Sequence, residues 1–453
     1  MDTDFKFGGG LHESLIHPVI LAFMIVAAIL TLFLPRKFAF VPVLFVGLLS
    51  PRGQQLVLGG VHFGVIRMVI LVAIVRLIKD RMVSGRLLKQ GLVTIDKIVI
   101  AWAAVRATAF VLLYRETGAV VNQVAFLLDT YGTYFLFRYS LQEERDIIRM
   151  GKVLAVIAAI LGVFMVNEHL SGTNVFGYLG TVSIRPWIRN GAIRSQAGFT
   201  NSISAGAFGA TLLPLFFWLW KSGKALIAGM LGLAAAVMIT MTSLASTPIV
   251  AMLAGIGALL LWPIRRELRL VRWGLVFAAL VLMIVMKAPV WFLIARADMI
   301  GGSNGYDRAM LVDNFVRHFP DWWLFGVNDN SSWGYDMWDQ CNQFVREGEE
   351  GGLATLVLFI TLLTRCFGDI GRARKRSTGT PRAEWLVWSL GAILLSHIVT
   401  FFGLSYFDQI TLWWYGALAI IAAATQAEFG SGDIQTRQPI RLGMNSSPEL
   451  AVR

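Results

Sequence analysis

The sequence predicts an all-α, polytopic integral membrane protein with about 12 or 13 transmembrane helices and one large structured extracytoplasmic loop. Three observations carry that expectation. Hydrophobic residues make up 56% of the 453-residue chain and charged residues only 15%, and the mean hydropathy is +0.64. Windows almost free of charge recur at the length of about 20 residues that a helix needs to cross a bilayer. The basic residues gather in short clusters between these apolar runs, the pattern of cytoplasmic loops. Lipid leaves no backbone polar group a water partner, so the spans are read as helices.

In chain order the expected spans are 18–34, 38–49, 56–78, 95–114, 117–137, 153–166, 202–220, 225–242, 247–262, 273–286, 351–363, 385–402 and 409–425. The second is short and reads as half-inserted. Residues 1–17 form an N-terminal segment and 18–425 the membrane domain. The polar tail 426–453 reads as disordered and cytoplasmic. The first apolar run has an acidic lead (Asp2, Asp4, Glu13) and no basic region, so no cleavable signal peptide is expected. No internal repeat is visible, which speaks against an inverted-repeat transporter.

The net charge of +12 does not imply nucleic acid, because its carriers punctuate the apolar runs. Lys79, Arg81, Arg86 and Lys89 form one cluster, and Arg138, Arg145, Arg149 and Lys152 the next. Lys221 and Lys224, then Arg265, Arg266, Arg269 and Arg272, then Arg365 and the stretch from Arg372 to Arg382 follow. Alternating crossings put all of them on one side, the cytoplasm. Loops 170–201 and 288–350 then face outward. Cys341 and Cys366 fall on opposite sides and form no disulfide. No His, Cys or carboxylate cluster has metal-ligand spacing, so neither a metal nor a cofactor is expected.

The polar island 288–350 is the most informative stretch. It is too long for a turn and too rich in Trp and Phe for a linker. Long loops in compact domains are usually functional; the alternative is a capping lid without chemistry. Both outward loops also carry arginines against the topological bias: Arg185, Arg189 and Arg194 in the first, Arg296, Arg308, Arg317 and Arg346 in the second. A guanidinium is a permanently charged fork suited to phosphate, although anionic headgroups or surface ion pairs would also account for it. Arg308 lies on one helical stripe with Leu311, Val312, Phe315 and Phe319, before Pro320 closes the helix. Facing the protein body it needs an anion, and Asp307 or Asp313 are possible internal partners. Arg67, Arg106 and Asp129 lie within spans. Arg106 and Asp129 read as a structural pair, and Arg67 is a candidate for a lipid phosphate. His397 reads as an interhelical hydrogen bond.

Three stretches, in this order, resemble the O-antigen ligase and polymerase-like family of bacterial envelope proteins. Arg194, Gly198 and Phe199, followed by Asn201, Ile203, Gly206 and Pro214, are similar to its Arg-x-x-Gly-x-Phe signature entering a span, with Gly198 displaced by one position and Asn201 where a His is frequent. Tyr306, Asp307 and Arg308, followed by the turn from Asp321 to Val327, are similar to its loop helix and glycine turn, with Asn328 in place of a final Gly. Asp339, Cys341, Asn342 and Phe344, with Glu350 and Gly352 entering a span, are similar to its His-Asn…Glu-x-Gly segment, with Cys341 at the His position. In layout the likeness covers 56–425.

The resemblance implies a metal-independent transferase that moves a glycan from an undecaprenyl-diphosphate-linked donor to a glycan or lipid acceptor outside the bacterial inner membrane. Arg194 and Arg308 match the two family arginines that bind the diphosphate. Asp339, two residues before Cys341, is the candidate base for the acceptor hydroxyl; its other reading is a loop-capping contact. Arg189, Arg67, Asn342, Arg317 and Trp338 are the remaining candidate substrate contacts. Trp322, Trp323, Trp333, Tyr335 and Trp338 offer faces for sugars, or serve as lid core and interfacial anchors. Membrane lipids are expected partners and nucleic acid is not. The competing functions are a flippase for lipid-linked saccharides and a non-catalytic component of an exopolysaccharide assembly complex.

Overall fold

Each expected span overlaps a helix in the computed structural model, which describes residues 14–59, 61–88, 91–296, 305–334 and 337–426. The tail 427–453 and most of the N-terminal segment lie outside the described residues. The first half of the chain gives α1 (Pro18–Phe33), α2 (Phe40–Leu49), α3 (Val65–Ser84), α4 (Thr94–Tyr114), α5 (Thr117–Ser140) and α6 (Glu144–Ser171). After a loop come α7 (Ser202–Lys221), α8 (Leu226–Thr242), α9 (Ser246–Leu260) and α10 (Leu268–Val285). The polar island carries α11 (Gly305–Arg317) and α12 (Phe319–Trp322), and α13 (Gln343–Arg376), α14 (Pro381–Phe401) and α15 (Gln409–Ala424) complete the bundle.

Five of these helices are long and apolar enough to cross a membrane: α4, α6, α7, α13 and α14. Shorter apolar helices, among them α1, α8, α9 and α15, pack beside them. The most enclosed of the five is α7, buried along 89% of its apolar window. It packs against α8, α9 and α14. Gly209 of α7 lies where a Cβ would press on the Ala236 carbonyl of α8, the close backbone approach that small residues allow between apolar helices.

Three expectations need correction. The all-α class holds except for two antiparallel hairpins. One, β1 (Gln55–Leu58) with β2 (Val61–Gly64), occupies the start of the span expected at 56–78, so that helix begins at Val65. An apolar run of this length fits strand or buried helix equally, and Gly59-Gly60 marks the turn. Charge also ended the expected spans too early. Helix α6 starts at Glu144, with the Asp146 carboxylate accepting from the Gln142 and Glu143 amides, so Arg145, Arg149 and Lys152 sit on its first turns. Helix α13 runs for 34 residues and takes in the end of the island as well as Arg372 to Arg376. Lastly, α11 stops at Arg317, and Pro320 lies in the first turn of α12 instead of closing α11.

Hydrogen bonds sort the connections between the two ends of the bundle. At one end Gln142 Nε2 donates to the Leu87 carbonyl at 3.2 Å and Lys224 pairs with Glu144 at 2.7 Å. Arg374 donates to the Arg265 carbonyl there as well. The clusters grouped by the charge pattern therefore share one end. At the other end Gln54 Nε2 donates to the Leu179 carbonyl at 2.6 Å, Gln409 Nε2 to the Gly198 carbonyl at 2.7 Å, and Thr200 Oγ1 to Asp408 at 2.7 Å.

Candidate functional site

The first half of the site is a hairpin that the sequence reading missed. Strands β3 (Trp187–Arg189) and β4 (Ala192–Arg194) pair antiparallel, Trp187 opposite Arg194 and Arg189 opposite Ala192. Asn190 and Gly191 make the turn with φ of 51° and 76°, the left-handed pair that a tight hairpin of type I′ requires. Alternation along the strands puts Arg189 and Arg194 on one face. Asn-Gly between short apolar-polar alternations was the available signal.

The segment after Arg194 is pinned by main-chain bonds. The buried Glu168 carboxylate of α6 accepts from the Gln196 amide at 3.2 Å and the Ala197 amide at 2.8 Å. The Ser195 amide donates to the Thr242 carbonyl at 3.1 Å. Asn201 is the N-cap of α7 and accepts from the Ser204 amide at 2.8 Å, satisfying a donor that the first turn leaves free.

The second half is the island, which folds as a lid with its own small core of Leu311, Phe315, Trp322, Trp333, Met337 and Val345. Phe315 and Trp322 stack with centroids 3.9 Å apart. The lid is clasped to α13 at two glycines. The Val327 amide donates to the Glu349 carbonyl and the Leu353 amide to the Trp323 carbonyl, both at 2.8 Å. Gly326 has φ +105° and no room for a Cβ against the Glu349 carbonyl; Gly352 has φ +70° and none against the Leu324 carbonyl. Gly352 is also the kink within α13, at ψ −174°, a conformation essentially confined to glycine.

These two halves enclose one cavity of about 340 Å³ lined by Arg189, Arg194, Arg308, Asp339 and Cys341, with Asn201 and Phe407 in its wall. Its three arginines face a single carboxylate. Arg308 Nη1 donates to Thr247 Oγ1 at 2.8 Å, while its buried Nε has no partner among the described residues. Arg194 Nε reaches the Ser243 carbonyl at a long 3.5 Å. Burial first, and then the charges of Arg189 and Arg308, pull the pKa of Arg194 down from its ordinary value. Neither Arg194 nor Arg308 meets a carboxylate in an ion pair among the described residues. Like charges brought together under burial repel, and an anion between them would relieve that repulsion. Burial pushes the Cys341 thiol up, although the Arg308 charge partly opposes it.

The remaining candidates fall elsewhere. Arg317 is 71% exposed and pairs with Asp313 at 2.7 Å, which removes Asp313 as a partner for Arg308. Trp338 is 76% exposed and absent from the cavity wall. Asn342 is the N-cap of α13, its Oδ1 accepting from the Phe344 amide at 2.9 Å and the Val345 amide at 3.3 Å. Trp322 and Trp333 are lid core, and Tyr335 lies outside the described residues. The expected Arg106–Asp129 pair is replaced by two others. Asp129 takes the Arg67 guanidinium in a fork, with bonds of 2.8 to 3.2 Å, and Arg106 pairs with Glu350. Arg67 and Arg106 line a second cavity, of about 480 Å³. His397 of α14 bonds Tyr406 Oη through Nδ1 at 2.8 Å, but Tyr406 lies in the loop before α15, so this bond is not the interhelical one expected. Both cysteines are free. Among the described residues no three His, Cys, Asp or Glu side chains converge as metal ligands would.

No family model, curated protein or solved structure in the comparisons matches the chain. What the site does is therefore argued from its own chemistry.

Proposed function

We propose that the chain is an inner-membrane glycosyltransferase of the O-antigen ligase and polymerase kind. On this reading it takes a glycan from an undecaprenyl-diphosphate carrier and passes it to a sugar or lipid hydroxyl on the outer side. The observation that carries the reading is the convergence of Arg189, Arg194 and Arg308, from two distant segments, on one cavity that also holds Asp339. A diphosphate leaves readily once its charge is neutralised, and fixed guanidinium groups stabilise the charge that builds on it as the anomeric bond breaks. Asp339 takes the proton of the attacking hydroxyl. The carboxylate suits that role better than Cys341, whose thiolate burial disfavours.

Membrane insertion is supported by the five long apolar helices and by outward-facing apolar side chains on α10, where Phe277 and Ile284 are 69% and 84% exposed. The gathering of basic clusters at one end supports a cytoplasmic location for that end. The arginine cavity then opens on the outer side, where the lipid-linked donor presents its diphosphate.

The test is reconstitution. The chain in proteoliposomes, given an undecaprenyl-diphosphate-linked oligosaccharide and a glycan acceptor, is expected to release undecaprenyl diphosphate and lengthen the acceptor. Movement of the intact donor across the bilayer without cleavage would replace the transferase reading with the flippase one.

A further inference from the structure

The second cavity shares the Phe407 wall with the arginine cavity, and its chemistry differs. Its three arginines, Arg67, Arg106 and Arg346, are met by three carboxylates, Asp129, Glu350 and Asp408. Arg67 pairs with Asp129 at 2.8 Å. Glu350 takes Arg346 at 2.8 Å and Arg106 on its other oxygen. Arg346 also donates to the Tyr406 carbonyl at 2.9 Å, and Asp408 is paired from outside by Arg52 at 2.6 Å. Every arginine of this cavity thus meets a carboxylate, with Arg106 and Arg346 sharing Glu350. Two buried polar atoms in the wall nevertheless lack partners among the described residues: Arg106 Nε, a donor, and Gln123 Oε1, an acceptor. Gln123 is 4% exposed, so its orphaned oxygen carries a desolvation penalty that only a ligand or water removes.

A sugar hydroxyl, like a water, can accept from one such atom and donate to the other. Around these atoms the wall is aromatic, with Trp102, Phe126 and Trp414. Flat apolar faces beside fixed polar forks fit the C–H faces and equatorial hydroxyls of a pyranose. The volume lies in the range of small-molecule sites.

We propose that this cavity binds a neutral saccharide, and that Gln123 and Arg106 read its hydroxyl groups. Saccharide binding stands on the cavity alone; the further step, that the sugar is the glycan acceptor, rests on the transferase reading. The Phe407–Asp408 segment would then separate a neutral-sugar chamber from an anion chamber. Asp408 sits at φ 55° and ψ −132° and is held there by Arg52 and Thr200.

The experiment is tryptophan-fluorescence titration of the full chain, purified in a polyoxyethylene detergent because maltoside headgroups would compete. The probes are glucose, galactose, N-acetylglucosamine and their β-linked disaccharides, with inorganic pyrophosphate as the anionic control. At least one sugar is expected to saturate the signal. Gln123→Leu and Phe126→Ala should each weaken it about tenfold, the loss of roughly one buried contact. Gln123→Glu, which keeps the shape and an acceptor, should retain most of the affinity and shows that position 123 tolerates change. Pyrophosphate should bind without displacing the sugar. Three results would overturn the proposal: no sugar of the panel binding, wild-type affinity in both Gln123→Leu and Phe126→Ala, or displacement of the sugar by pyrophosphate. The two readings fail separately. A chain that binds sugar but never cleaves the lipid-linked donor loses the transferase and keeps the saccharide site.

Discussion

Arg308 on α11 and Arg194 at the end of β4 face one cavity, and the charge of each opposes that of the other. Burial makes the repulsion worse, and Arg189 adds to it. On the proposed reading a bound anion relieves that repulsion. Lys at either position keeps the charge and loses the two-pronged geometry. Arg194→Lys and Arg308→Lys are each expected to lower glycan transfer by about a hundredfold or more, the scale of removing one fixed donor to a developing anion. Both proteins should still insert and fold. Melting temperature with and without inorganic pyrophosphate checks the cause: wild type should be stabilised by the anion, and the double Ala variant should not. Full transfer activity in Arg308→Lys and Arg308→Ala would reduce Arg308 to a structural role with Thr247.

Asp339 and Cys341 line the same cavity, so either is placed to act on an acceptor. An ordinary carboxylate is ionised at neutral pH and an ordinary thiol is not. Asp339→Asn is therefore expected to cost about a hundredfold or more in transfer rate, with donor binding unchanged, and Cys341→Ala is expected to stay within a few-fold of wild type. A dead cysteine variant beside a normal aspartate variant would reverse the assignment.

The thiol itself gives a pH test. Burial disfavours the thiolate of Cys341, so its folded pKa lies above the ordinary value and the neutral form persists to higher pH. Alkylation needs the thiolate. In a Cys366→Ala background, labelling of Cys341 by iodoacetamide should be slow at neutral pH. Its inflection should come above that of a free thiol at about 8.5. An inflection below that point would mean that the Arg308 charge, not burial, dominates the site.

Much of this layout was legible because it is written in charge and hydropathy. Spans, grouped basic loops and the arginines of loops 170–201 and 288–350 need only counting. Arg194 and Arg308 were placed by motif order, and the structure does bring them together. What escaped was local. The hairpin at 187–194 hides in a loop because its strands are too short for periodicity, although Asn190-Gly191 marks the turn. Arg317 was counted with the site arginines, yet Asp313 lies four residues before it on the same helix and takes it outward. Partner choice among Arg67, Arg106, Asp129 and Glu350 depends on which helices touch, and spacing along the chain does not encode that. Asn342 reads as a polar loop residue until the start of α13 is known, and then it is a cap.

The glycine clasp gives a prediction about the lid. At Gly326 and Gly352 an Ala side chain meets a carbonyl oxygen and also a positive φ. The backbone term alone is about 1–3 kcal/mol at each position. Gly326→Ala and Gly352→Ala should loosen the lid from α13 without unfolding the bundle, since the lid has its own core. Proteolysis between residues 305 and 334 should quicken in both, and transfer should fall because Arg308, Asp339 and Cys341 all ride on the lid. Equal protease resistance in wild type and variants would show that the clasp does not hold it.

The last prediction concerns sidedness, on which the proposed donor depends. Thr173 and Asn330 belong to the connections at the cavity end of the bundle, and Lys375 lies in the last turn of α13. Beyond its kink at Gly352 that helix still runs from Leu353 to Arg376, about 36 Å at 1.5 Å per residue, more than the hydrocarbon core of a bilayer. Asn330 and Lys375 therefore report opposite faces whichever way the protein inserts. On the proposed reading the basic clusters near Lys375 face the cytoplasm, because positive loops tend to stay there. Alkaline phosphatase fused after Thr173 and after Asn330 should be active, and green fluorescent protein fused at Lys375 should fluoresce. The arginines of loops 170–201 and 288–350, with Arg52 and Arg115, are a competing bias, which the larger number of Lys and Arg residues at the other end is expected to outweigh. A cytoplasmic readout at Asn330 would put the arginine cavity on the side of the membrane where sugars are loaded onto the carrier, and the transferase reading would fall with it.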